Sequence, residues 1–103
     1  MSTIYYLYIK EHTKTGLKYL EKTQAKDPFK YTGSGKYWKR HLYKHGPTYN
    51  TKILLMTCDK DELIETGKFF SNLFNIVGSP DWANLKIEEG DGGWAHINQN
   101  KEN

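Results

Sequence analysis

Residues 4–11 (IYYLYIKE) and 17–23 (LKYLEKT) are aromatic and β-branched runs joined by His12-Thr13-Lys14-Thr15-Gly16. Such side chains suit a pleated backbone, and a short polar connection ending in glycine returns the chain on itself. A β-hairpin is therefore expected at the start of the fold. Its first strand shows no clean alternation of apolar and polar positions, so it is read as buried on both faces for most of its length.

The rest of the chain alternates helix and strand signals. Residues 24–35 hold Asp27-Pro28 and Gly33-Ser34-Gly35, turn formers that predict an extended surface loop. Trp38, Leu42 and His45 recur at helical intervals within 36–45, and Gly46-Pro47 is a strong stop. A third strand is expected at 51–57. Asp59 as N-cap and Glu62 three residues on resemble a capping box for a helix running to about residue 74. That helix sets Leu63, Gly67, Phe70 and Leu73 or Phe74 on one face. Gly67 in its middle implies close packing there. Ser79-Pro80 suits the N-cap and first position of a last helical turn; 88–93 (EEGDGG) reads as a loop, and 98–103 as a polar tail. The expected fold class is α/β in the α+β sense, a small three-stranded antiparallel sheet flanked by helices. One domain is expected over 1–97.

At 103 residues the chain suits a single core. No apolar run approaches the roughly 20 residues of a membrane helix, so no membrane partner is expected. The first residues lack the basic and apolar regions of a secretory signal. Cys58 is the only cysteine, which excludes an internal disulfide and a cysteine-based zinc site, and a reducing cytoplasm is the expected compartment. Charge is unevenly placed. Residues 1–52 carry eleven Lys or Arg against three acids, a balance of +8; residues 53–103 carry four Lys against nine acids, a balance of −5. A basic half with interleaved tyrosines points to a polyanion. Lys10, Lys18, Lys22, Lys30 and Lys36, with Lys39 and Lys44, are the candidate nucleic-acid contacts, tyrosines among them stacking on bases.

Tyr8 and Tyr19 lie on adjacent strands of the expected hairpin, followed in order by a Gly-rich loop, a basic helix, a strand and an acid-capped helix. In that order the chain resembles the GIY-YIG nuclease family, in its phage and homing-endonuclease branch. Leu7-Tyr8 stands where the family has Ile-Tyr, and Lys18-Tyr19-Leu20-Glu21 where it has Tyr-Ile-Gly. The run from Asp27 to Gly35, Trp38-Lys39-Arg40-His41, Lys44-His45-Gly46 and Asn84-Leu85 are also similar to that branch. The resemblance spans residues 4–93. It implies metal-assisted phosphodiester hydrolysis on DNA, with Mg²⁺ or Mn²⁺ as cofactor, in a bacterial host cytoplasm. A metal polarises the phosphoryl oxygen, and cationic groups offset the developing charge.

Carried over by position, Tyr8 and Tyr19 would act on water or phosphate, or serve only as strand aromatics. His41 would sit near the phosphate or simply pack the helix, and Asn84 would border the site or only form a turn. His41 and His45, four apart, have a zinc-chelating spacing but no third ligand nearby in sequence. Three positions depart from the family pattern. Glu21 replaces a glycine that lets the backbone approach the site. Tyr37 stands where an arginine is expected, leaving Arg40 or Lys39 to substitute from the next turn. The metal-binding glutamate falls near Gly67; Glu65 is the closest acid, but two residues along a helix turn it by about 200°. Two functions are therefore expected as rivals. One is a DNA endonuclease using Tyr8, Tyr19, Arg40 and His41, with Glu65 on the metal. The other is a catalytically degenerate fold that binds nucleic acid or a host protein, for instance a host-defence component.

Overall fold

The computed structural model describes residues 3–84. The expected loop at 88–93 and the tail at 98–103 lie outside the described residues. Within them the chain forms β1 (Tyr5–His12), β2 (Lys18–Thr23), α1 (Lys36–His45), β3 (Tyr49–Thr57) and α2 (Lys60–Leu73). The strands make one antiparallel sheet in the order β2-β1-β3, so the fold is α+β with a central first strand.

The centre of that sheet is β1, and it buries residues on both faces as its composition requires. Its odd-numbered side follows one face. There Leu7 packs with Leu20 of β2, Leu63 of α2, and Ile76 and Trp82 beyond it. Its even-numbered side faces the other way, where Tyr8 lies opposite Glu21, and Lys10 opposite Tyr19. On this side Leu17, Tyr19, Trp38, Leu42 and Ala83 form a second cluster, so α1 covers one face and α2 the other. Each fully buried Leu or Trp contributes roughly 1.5–3 kcal/mol or more, which makes both clusters necessary to a chain this short.

The hairpin closes with Gly16 at φ 77°, its N–H donating to His12 O at 2.9 Å. His12, expected in the turn, is instead the last residue of β1 and is buried. Its ring explains the extension. Nδ1 accepts from the backbone N–H groups of Lys14 and Thr15, each at 3.2 Å, and Nε2 therefore carries the proton and donates to Gly46 O at 2.8 Å. The His12 ring thus ties the hairpin turn to the end of α1.

Asp59 caps α2, accepting from the N–H groups of Asp61 and Glu62. The reciprocal half of the box is relayed: Thr57 Oγ1 donates to Glu62 at 2.6 Å and accepts from the Asp59 N–H at 2.9 Å. Leu63, Gly67 and Ser71 are the buried positions of α2, with Phe70 packed on the core and Leu73 exposed. The expected turn at Ser79-Pro80 forms as a single turn, with the Trp82 N–H donating to Ser79 O at 3.4 Å, and does not continue as a helix within the described residues. Ser79 Oγ takes the Asp81 N–H at 3.1 Å, and Trp82 then pairs in parallel with Lys18. The 81–83 segment covers the outer edge of β2: the Lys18 N–H donates to Asp81 O at 2.9 Å, Lys18 O accepts the Ala83 N–H at 2.7 Å, and Trp82 and Ala83 are buried beside it.

Candidate functional site

Glu21 projects from β2 toward its ladder partner Tyr8. Tyr8 Oη donates to Glu21 Oε1 at 2.8 Å, the Ser34 N–H donates to the same oxygen at 3.2 Å, and Ser34 Oγ donates to Oε2. Three donors from a strand and a loop thus converge on one carboxylate. Burial, with the Glu21 carboxylate alongside, pushes the Tyr8 phenol far above its ordinary value. Tyr8 consequently stays protonated and donates; a phenolate base is not accessible to it.

Lys10, two residues along the same face, is fully buried at 0 % exposure. Its Nζ donates to Pro28 O at 3.0 Å and Thr51 Oγ1 at 2.7 Å, and lies 4.8 Å and 4.6 Å from the ring centres of Tyr8 and Tyr49. Burial pulls its pKa down to about 8, with the Glu21 and Asp27 carboxylates acting in the opposite sense. Read from sequence as a phosphate contact, Lys10 is instead a buried tether between β3 and the loop. A strand buried on both faces leaves its side chain no route to water.

The loop between β2 and α1 is pinned along its length. Asp27 Oδ1 accepts the N–H groups of Phe29 and Lys30, Lys10 holds Pro28 O, and Trp38 Nε1–H holds Thr32 O at 2.8 Å. Gly33 has φ 104° and packs so closely that a Cβ would lie 3.1 Å from both Trp38 and Tyr19. At Gly35 a Cβ would fall 2.5 Å from Tyr19 Oη, so glycine is the residue that lets the loop cross the tyrosine. Tyr19 itself is 5 % exposed and stacks on Trp38 with ring centres 5.5 Å apart. Between this loop and α1 runs an open groove of about 840 Å³, with Lys30, Tyr31 and Ser34 on one wall and Lys39, Leu42 and Tyr43 on the other.

The remaining sequence-derived positions do not converge on Tyr8. His41 shares a 2.7 Å hydrogen bond with Thr15 Oγ1 and lies 4.9 Å from the His12 ring and 4.4 Å from His45. His12 lies four positions along β1 from Tyr8, about 13 Å. Burial first, then His45, His12 and Lys44, lower the His41 pKa. Arg40 is exposed and lies about 200° around α1 from both Trp38 and Leu42, away from the sheet. Glu65 is exposed on α2, whose buried residues pack on the Leu7 face, opposite Tyr8 and Tyr19. Asn84 is buried; its Oδ1 accepts the Leu20 N–H at 2.9 Å and its Nδ2 donates to Leu20 O at 2.6 Å. It therefore imitates a backbone partner and fixes β2 between Tyr19 and Glu21.

The lysines do not form one stripe. Lys18 and Lys22 lie opposite Glu11 and Leu7, on the α2 side of the sheet. Lys30, Lys36, Lys39 and Lys44 are exposed along the loop and α1. Among the described residues, no group of three or more His, Cys, Asp or Glu is placed to hold a metal ion. The donor set beside Tyr8 also fits a divalent cation poorly, since both Glu21 oxygens already accept hydrogen bonds and a lysine stands behind them.

Ser34, Thr51, Tyr31 and Tyr43 were not legible as site residues. Ser34 carried a signal in its Gly-Ser-Gly setting; the tyrosines became relevant only once the loop was laid against α1. Among the described residues no helix is long and apolar enough to cross a membrane. Compared with models of known families, with curated proteins and with solved structures, the chain matches none.

Proposed function

We propose that this chain is a nucleic-acid-binding domain of GIY-YIG-like fold, whose hydrolytic centre is closed by its own Glu21. The observation that carries this reading is the convergence of Tyr8 Oη, Ser34 N–H and Ser34 Oγ on the Glu21 carboxylate. Donors that would suit a phosphate are satisfied internally, and a fixed negative charge there repels one. Tyr8, held as a donor, supplies no base. Exposed Lys30, Lys36, Lys39, Arg40 and Lys44 surround the loop and α1 and favour a polyanion, with DNA the first expectation.

The rival reading is a DNA endonuclease using Mg²⁺ or Mn²⁺. It draws support from Tyr8 and Tyr19 sharing one face of the hairpin. It needs Glu65 to reach a site across the sheet.

Fluorescence anisotropy with labelled DNA and RNA, read at increasing salt, tests the binding reading. With about four phosphate contacts to a single strand, affinity should fall on the order of 50-fold between about 50 and 200 mM salt. A flat salt dependence, or no binding at low salt, would remove nucleic acid and leave a protein partner.

A further inference from the structure

Resting on the nucleic-acid reading above, we infer that the groove between the 30–34 loop and α1 takes a single strand, with an unpaired base stacked on Tyr43. Tyr43 is 94 % exposed, an unusual position for so much apolar surface on a helix whose apolar Trp38 and Leu42 are buried. It stands at the rim, next to Leu42, which is buried and supplies an apolar floor. Tyr31 lies on the facing wall. Lys30 and Lys39 line the same groove, and among the described residues no acid does.

This pattern selects an occupant. Cationic side chains with aromatic rings between them match a chain of phosphates carrying flat bases. Every base has a face to stack, yet in a duplex those faces are covered by neighbouring pairs. Only an unpaired base can lie on an exposed tyrosine. A duplex would meet the lysines alone and leave Tyr43 and Leu42 unused.

The wall is also fixed in advance. Asp27, Lys10, Trp38 and Glu21 hold the loop at Lys30, Pro28, Thr32 and Ser34. Little ordering is then required when a strand enters, and less binding free energy is lost to it. Glu21, at the position where the family pattern has glycine, thus helps hold a binding wall in this chain.

The test compares fluorescein-labelled oligothymidylate and oligouridylate of roughly ten nucleotides with a blunt duplex of the same length. Anisotropy should give at least about tenfold tighter binding to the single strands, with either order of affinity between the two supporting the inference. Y43A should weaken single-strand binding by about 5- to 100-fold, and Y43F should restore it. Tyr43 is solvent-exposed, so Y43A should unfold at the same temperature as wild type, which separates lost stacking from lost structure. Equal affinity for duplex and single strand, or an unchanged Y43A, would overturn the inference. If K30A and K39A still weakened binding in that case, the nucleic-acid reading would survive it. Absence of binding to all three probes at low salt would sink both.

Discussion

A carboxylate facing a buried phenol has few ways to be satisfied, and Glu21 takes nearly all of them at once. The consequence is an asymmetry between its two partners. Removing the phenol by Tyr8→Phe leaves a half-exposed carboxylate that water can reach, and should cost about 1 kcal/mol. Removing the carboxylate by Glu21→Ala strands Tyr8 Oη in the interior and should cost about 1–3 kcal/mol. The double variant should recover about 1 kcal/mol relative to the sum, read by urea unfolding of all four proteins. Full additivity would mean the bond contributes nothing.

Lys10 makes a second residue-scale prediction. Its ordinary pKa of 10.5 drops to about 8 in the fold. Between those values the unfolded chain binds more protons than the folded one, so stability should rise with pH from about 8 toward 10.5. Below about 8 the fold bears the cost of a buried charge. Lys10→Met keeps the length and removes the titration. The difference between wild type and variant, followed by urea midpoint across that range, should grow by a few kcal/mol at most. A constant difference would contradict the burial of Nζ.

At the scale of elements, what could be read from sequence follows how local the signal is. Both ends of α1 are where Gly35 and the Gly46-Pro47 pair put them, because punctuation acts within a few residues. The cap of α2 was equally readable at Asp59. The start of β3 was not: Tyr49 and Asn50 join the strand because His12 and Glu11 reach across to pair with them. Nor does local pattern say which face of the sheet a helix will cover, and that choice separates Glu65 from Tyr8. Ser79-Pro80 does open a turn, but its extent is not local, since Trp82 leaves it to pair along the edge of β2.

Asn84 shows how such an edge is held. Asn84→Ala removes both partners of Leu20 and should cost about 2 kcal/mol. Asn84→Asp should do no better, because an oxygen then faces Leu20 O where Nδ2 donated. A thermal or urea scan that ranked Asn84→Asp with wild type would argue against the amide as a ladder mimic. The His12, His41 and His45 cluster joins the hairpin turn to α1. His41 has a lowered pKa, so its contribution is present above about 6.5 and is lost as pH falls below that value. His41→Gln should flatten that acid-side decline, measured as melting temperature between about pH 5 and 7.

For the whole molecule, charge differs between the two faces of the sheet. The loop and α1 carry Lys30, Lys36, Lys39, Arg40 and Lys44 on the Tyr8 side, whereas the α2 side mixes Asp61, Glu62 and Glu65 with Lys18, Lys22, Lys60 and Lys68. On the proposed reading, a polyanion approaches from the loop and α1 side. Among the described residues, the one carboxylate beside Tyr8 is the hydrogen-bonded Glu21, which supports the proposed reading of a binder that does not cut. Incubating wild type and Glu21→Gly, in excess over labelled single-stranded, duplex and branched DNA, with Mg²⁺ or Mn²⁺ tests this most directly. The account predicts bound but intact DNA with both proteins, because opening the Glu21 position restores neither the arginine nor the metal ligand. Cleavage by the wild type that Tyr8→Phe abolishes would contradict it.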